Sequence, residues 1–331
     1  MSRVRAIRRA LVRSAAMVAA VVAPFALPLA AQAPALAPSR DRLTLEHYLD
    51  WEDVQSPRLS PDGKQVIYTR RWIDKLNDRW ESSLWIMGVD GSKNRVLVNG
   101  GDVEWSPDGQ RIAYIARGEP AGPQIFVRWM DAEGAISQVT RLTEAPSDIT
   151  WSPDGKSIAF RMGVPYRESW SIPVPSAPKG AKWVEPPRIV TKLDYRQDRQ
   201  GFTDDAYQHV FVVSAEGGTP RQVTSGNWDH GAPQWMPDGK SIVFGANRVP
   251  EAEYAWRQSD VYAVDVASGA IRQLTTRSGP DGQPVPSPDG KLIAYTGFDH
   301  TTDTWRDQQL YVMNADGSNP RSLTPQLDRS P

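Results

Sequence analysis

Across 331 residues, 38 Lys and Arg nearly cancel 39 Asp and Glu, so the chain has no field that would recruit nucleic acid or an anionic membrane surface, and neither is expected as a partner. The absence of cysteine excludes disulfides, thiolate metal sites and a thiol nucleophile together. With 28 Pro and 25 Gly beside 40% hydrophobic residues, the composition suits many short strands joined by tight turns.

The N-terminus reads as an export signal. Arg3, Arg5, Arg8, Arg9 and Arg13 form a basic head, Ser14 to Ala30 an uncharged apolar stretch, and Ala31-Gln32-Ala33 a small-x-small cleavage site. Pro24 and Pro28 interrupt the apolar stretch, which is shorter than the roughly 20 residues that span a bilayer. Residues 1–33 are therefore read as a cleaved signal, and the mature chain is expected to be periplasmic or secreted and free of the membrane. Arg8-Arg9 alone does not assign the export pathway. Residues 34–53 follow as a linker with a short helix over Leu43 to Glu52, placing Leu45, Tyr48 and Leu49 on one face.

From residue 54 onward the sequence repeats. Pro-Asp-Gly recurs at Pro61-Asp62-Gly63, Pro107-Asp108-Gly109, Pro153-Asp154-Gly155, Pro237-Asp238-Gly239 and Pro288-Asp289-Gly290, and a sixth copy at Pro280-Asp281-Gly282 is out of phase. Three residues after each in-phase glycine an apolar strand begins: Val66-Ile67-Tyr68, Ile112-Ala113-Tyr114, Ile158-Ala159-Phe160, Ile242-Val243-Phe244 and Ile293-Ala294-Tyr295. Trp105, Trp151 and Trp235 precede the proline by two positions, with Leu59 and Pro286 in the other copies. A second apolar strand follows in each copy, and the last four close on Leu142-Thr143, Val223-Thr224, Leu274-Thr275 and Leu323-Thr324.

Each copy is thus a four-stranded antiparallel meander. Proline fixes φ at the second turn position, aspartate suits the third, and glycine accepts the left-handed conformation, so the recurrent carboxylates are turn residues rather than metal ligands. Asn314-Ala315-Asp316-Gly317 lacks the distal glutamate of a calcium loop. No cofactor or metal is expected. Strands apolar on consecutive residues need cover on both faces, and radial stacking of the units supplies it. The fold expected is an all-β propeller over 54–331, with blades at about 54–100, 101–145, 146–226, 227–277 and 278–325. The third blade is lengthened at about 163–207, which is read as an insertion rather than a degenerate extra blade.

These residues carry a resemblance. Leu43-Thr44-Leu45-Glu46 leading into Pro57-Arg58-Leu59-Ser60-Pro61-Asp62-Gly63-Lys64, the repeated Trp151-Ser152-Pro153-Asp154-Gly155-Lys156 and Pro220-Arg221-Gln222-Val223-Thr224 resemble the N-terminal propeller of S9-family serine peptidases, of the prolyl oligopeptidase, acylaminoacyl-peptidase and dipeptidyl-peptidase types. Lys192 to Gly201 is similar to a segment of the acylaminoacyl-peptidase group, and the blade motif itself is shared with TolB-like propellers. The resemblance implies a propeller that filters peptides by size above an α/β-hydrolase domain holding a Ser-Asp-His triad.

Gly-x-Ser-x-Gly occurs nowhere in the chain, and His47, His209, His230 and His300 are scattered, read as surface or turn residues. The chain is expected to be the non-catalytic propeller portion, its hydrolase domain absent. Its partner is then a peptide substrate or a protein, a separate hydrolase domain included. The alternative is a stand-alone TolB-like propeller binding a protein or peptide. In the dipeptidyl-peptidase branch, propeller glutamates hold a substrate amino terminus, and Arg167, Glu168 and Trp170 in the insertion are the nearest candidates for such contacts.

Overall fold

The computed structural model describes residues 43–166, 175–184, 190, 192–198, 201–203, 205–303 and 305–331. The expected signal at 1–33 and the candidates Arg167, Glu168 and Trp170 lie outside the described residues. The expected helix is a single turn, α1 (Leu45–Tyr48), because strand geometry has already begun at Glu52. Among the described residues no helix is long and apolar enough to cross a membrane.

Residues 48–331 form one unit. It begins with β1 (Glu52–Leu59), β2 (Gln65–Asp74), β3 (Arg79–Gly88) and β4 (Arg95–Asn99) as the first blade, then β5 (Gly101–Trp105), β6 (Arg111–Gly118), β7 (Gly122–Trp129) and β8 (Ile136–Gln138) as the second. The third blade holds β9 (Pro146–Trp151), β10 (Ser157–Pro165), β13 (Ala206–Ser214) and β14 (Arg221–Gln222), with the hairpin β11 (Arg196–Gln197) and β12 (Gly201–Phe202) forming a sheet of its own between them. The fourth blade is β15 (Gln234–Trp235), β16 (Ser241–Ala246), β17 (Asp260–Asp265) and β18 (Ile271–Gln273), and the fifth β19 (Asp281–Pro286), β20 (Leu292–Gly297), β21 (Gln309–Asn314) and β22 (Arg321–Ser322). All pairings are antiparallel, and strand order follows chain order in each blade. The insertion leaves the register of its blade untouched. β10 and β13 pair without slippage from Ser157↔Ser214 to Pro165↔Ala206, so the excursion departs and returns at neighbouring points.

The repeated tripeptide makes the turn expected of it. In Ser106-Pro107-Asp108-Gly109 the glycine N–H donates to the Ser106 carbonyl at 2.9 Å with Gly109 at φ +69°, and the other four copies match it. The Ser106 hydroxyl donates to Asp108 Oδ1 at 2.6 Å and accepts the Arg111 N–H at 2.9 Å, while Asp108 Oδ1 accepts the Gln110 N–H at 3.0 Å. Ser60, Ser152 and Ser287 repeat the hydroxyl–carboxylate bond, and in the fourth blade Met236 stands in the serine position. The turns also touch from blade to blade. A Cβ on Gly109 would lie 3.4 Å from Pro61 of the preceding turn, and Gly239 and Gly290 face Pro153 and Pro237 in the same way.

The consecutive apolar residues point alternately to the two neighbouring blades. In Ile158-Ala159-Phe160, Ile158 and Phe160 pack toward the second blade and Ala159 toward the fourth; in Ile242-Val243-Phe244 the outer pair face the third blade and Val243 the fifth. Large side chains thus face backward and a small one forward, as a stack of wedges needs. An aromatic pair in cross-strand register recurs in every blade: Tyr68–Trp85, Tyr114–Phe126, Phe160–Phe211, Phe244–Tyr262 and Tyr295–Tyr311, with ring centroids between 5.3 and 6.4 Å apart.

Candidate functional site

The innermost strands β1, β5, β9, β15 and β19 adjoin one another in sequence along the propeller axis. Four of them carry a non-glycine residue in the left-handed region: Ser56 (φ 49°), Asp102 (φ 49°), Asp148 (φ 52°) and Gln283 (φ 52°). Each lies three residues before the tryptophan position, where the strand register shifts. Ala232 holds the corresponding place in the fourth blade. Such a conformation is costly for a residue with a Cβ and concentrates at sites of ligand contact. Its recurrence sets the start of these strands apart from the rest of the scaffold.

Asp102 and Asp148 are bound into one polar network. Asp102 Oδ2 accepts the Asp148 N–H at 3.1 Å, Arg161 pairs with Asp148 Oδ2 at 2.8 Å, and Arg58 Nε donates to Glu104 Oε1 at 2.6 Å across the first two blades. Burial, and next the charge of Asp148, push the Asp102 carboxyl above its ordinary range. Burial likewise pushes Glu104 up, and Arg58 offsets only part of it. Tryptophans support the network from behind: Trp105 Nε1 donates to the Arg58 carbonyl at 3.2 Å and Trp151 Nε1 to the Glu104 carbonyl at 3.1 Å. Beside Asp102, between the first and second blades, lies a cleft of about 310 Å³ that reaches Ser56, Thr69, Arg71, Trp80 and Ser82.

In a meander the links from second to third strand all emerge on the face opposite the Pro-Asp-Gly turns, and the left-handed residues lie toward that face. At or beside these links lie exposed aromatics: Trp80 at the start of β3 in the first blade, Trp183, Tyr195 and Phe202 in the insertion, Tyr254 and Trp256 in the fourth and Trp305 in the fifth. The insertion is tied to its surroundings, with Lys192 Nζ 3.9 Å from the Tyr207 ring centroid and the Leu193 N–H donating to Glu253 Oε2 at 3.2 Å.

The turn residues Asp62, Asp108, Asp154, Asp238 and Asp289 sit on the other face, each accepting the N–H two residues ahead, and stay remote from this network. Among the described residues no group of three His, Asp or Glu is placed to hold a metal ion. Two histidines read as surface or turn residues are instead buried in the core. His209 and His230 are buried, their rings 5.0 Å apart, and His230 is pushed down to about 4 by that burial, with Arg248 at 2.8 Å from its Nε2. The loop carrying His230 folds back under the blade, where its backbone N–H meets the Gln208 carbonyl at 2.9 Å, a long-range contact that no local pattern announces. Asp102 and Asp148 did leave a sequence signal: Asp102-Val103-Glu104-Trp105 and Asp148-Ile149-Thr150-Trp151 are equivalent segments of two repeats.

Fold and site together define a β-propeller of the kind that forms the N-terminal region of S9-type peptidases and that also occurs in TolB proteins. The family model described as the dipeptidyl peptidase IV N-terminal region matches residues 179–303. The peptidase YuxL of Bacillus subtilis is 30% identical over 214 residues, covering 63% of this chain and 32% of its own length. Dipeptidyl-peptidase 5 of Porphyromonas gingivalis is 24% identical over 307 residues, covering 87% and 43%. The chain therefore spans less than half the length of these curated relatives. Among solved structures, acylaminoacyl peptidase of Pyrococcus horikoshii superposes with a TM-score of 0.65 at 16% identity, covering 86% of this chain and 41% of that one. A structure described as a TolB of Agrobacterium tumefaciens gives 0.51 at 20% identity, covering 82% and 80%. Both likenesses are of fold.

Proposed function

We propose that the propeller is the peptide-admitting part of an exported S9-type peptidase, screening substrates at the face that carries the long links and the Asp102–Asp148 network. The observation that carries the reading is the recurrence of strained, polar residues at one level of four inner strands, in a fold shared with peptidase propellers. No nucleophile and base converge in the network, so selection rather than bond cleavage is its role. Export rests on the basic and apolar N-terminal segment, and protein recovered from the cell envelope or medium is expected to begin near Pro34.

Fluorescence anisotropy with tagged, unstructured peptides of graded length tests this. Short peptides are expected to bind one competitive site, and replacing both Asp102 and Asp148 by Asn is expected to weaken them by about tenfold. Absence of binding at every length would remove the reading. A second reading, a propeller that binds a folded protein in the manner of a free-standing adaptor, is favoured by the exposed Trp183, Tyr254, Trp256 and Trp305 and by the TolB likeness, which covers most of both chains. It predicts an alanine-sensitive protein interface at those aromatics and indifference to the two Asn replacements.

A further inference from the structure

The cleft between the first two blades contains groups whose bonding capacity the chain leaves unused. Thr69 is 6% exposed and lines the cleft, and its Oγ1 has no hydrogen-bond partner among the described residues. A buried hydroxyl left in this state is destabilising, and a bound acceptor would satisfy it. Arg71 also lines the cleft, its guanidinium stacked 4.0 Å from the Trp80 ring centroid with no carboxylate paired to it among the described residues. Stacking on an aromatic face holds the planar fork while leaving its N–H groups directed at a ligand.

Of the acidic groups nearby, Asp53 lies opposite Arg71 in the β1–β2 register with no ion pair to it among the described residues, and two others are engaged. Glu81 pairs with Arg79 at 2.7 Å, and Asp102 Oδ2 accepts the Asp148 N–H while burial favours its neutral form. In the third blade an aspartate carboxylate, that of Asp102, caps the left-handed residue of the next strand. One blade earlier the residue equivalent to Asp102 is Ser56, so among the described residues no carboxylate caps the left-handed Asp102 in the same way. From the unpaired guanidinium, the unpartnered buried hydroxyl and the missing carboxylate we infer that this cleft is a specificity subsite for a carboxylate of a bound peptide, either its C-terminus or an acidic side chain. Arg71 receives it as a fork and Thr69 donates a second hydrogen bond.

The inference rests on the peptide-handling reading above and names the substrate class. Calorimetry on the full chain uses four probes: acetyl-Gly-Gly-Ala as free acid, the same peptide as amide, acetyl-Gly-Glu-Ala amide, and Gly-Gly-Ala amide with a free amino terminus. One or both acids are expected to bind about tenfold more tightly than the neutral amide, and which acid does so tells a C-terminal carboxylate from a side chain. Arg71→Gln is expected to abolish that preference and Arg71→Lys to retain part of it. Thr69→Val, which keeps the shape and removes the unpartnered hydroxyl, is expected to weaken acid binding several-fold, about threefold or more, without lowering the thermal midpoint. Equal binding of acid and neutral amide would overturn the carboxylate subsite while leaving peptide binding standing, as would a preference that survives in Arg71→Gln or one directed at the free amine. Failure of all four probes to bind would overturn both.

Discussion

Two kinds of left-handed residue occupy this scaffold, and they differ in how the sequence displays them. At Gly63, Gly109, Gly155, Gly239 and Gly290 the residue type itself declares the conformation. At Ser56, Asp102, Asp148 and Gln283 the conformation accompanies a register shift against the neighbouring strand, so the equivalent segments ending in Trp105 and Trp151 marked two of the positions without showing their conformation, while the turns were legible. The turn serines were legible only as part of a repeated word. Ser152 is buried, donates to Asp154 Oδ1 at 2.6 Å and accepts the Ser157 N–H at 2.9 Å. Ser152→Ala leaves that N–H without its acceptor and is expected to cost about 1–2 kcal/mol in urea unfolding. The hydroxyl of Ser152 holds Asp154 below its ordinary range, so this contribution is present above the unfolded-state value and is lost as pH falls through the lowered folded one. The gap between wild type and variant should accordingly narrow below about pH 4; a gap that widens on acidification would show that the carboxylate is not held by the hydroxyl.

At the scale of strands and blades, the phase of the repeat located the second and third strands well, because their apolar runs are long and cross-paired. Three of the closing Thr residues gain a reason in the structure: Thr224, Thr275 and Thr324 each accept, through Oγ1, an N–H of the adjacent third strand, and in the second blade that position is held by Thr140 rather than by the expected Thr143. Legibility failed where the same letters serve a different element. Pro280-Asp281-Gly282 is no turn; Asp281 opens β19 fully buried, paired with Arg277, beside Asp260 at the start of β17. Thr275 and Gln273 hold Asp260 at 2.8 and 2.9 Å, yet burial outweighs them and pushes its carboxyl up to about 6, with the charge of Asp281 adding to the effect. Burial pushes Asp281 up as well, despite Arg277. A raised folded value means that the native state binds the proton more tightly. Its contribution is complete below the unfolded value of about 4 and declines as pH rises to about 6. Asp260→Asn should flatten this decline and stabilise the protein above pH 6 by something on the order of 1–2 kcal/mol, read as urea midpoints at acid and neutral pH. Wild type and variant running parallel across that range would place the titration elsewhere.

For the molecule as a whole, the decisive feature is that five blades have four hydrophobic cores among the described residues, one at each junction from the first blade to the fifth. The outward side of the first blade shows the consequence, with β1 largely exposed where β5 and β9 are half or fully buried. Stability is then approximately a sum of blade terms and nearest-neighbour junctions rather than the property of one shared core. Local damage should stay local at the flanks and spread from the middle. Met313 is buried in the junction of the fourth and fifth blades, and Phe160 in that of the second and third. Truncation of either to Ala is expected to cost about 2–5 kcal/mol, but with different maps of amide exchange. Met313→Ala should accelerate exchange in β20 to β22 and leave β2 and β6 at wild-type protection, whereas Phe160→Ala, in the interior of the row, should raise exchange in the blades on both sides of it. Uniform acceleration across all five blades by Met313→Ala would mean that the array unfolds as one cooperative body, and the nearest-neighbour account would have to be given up.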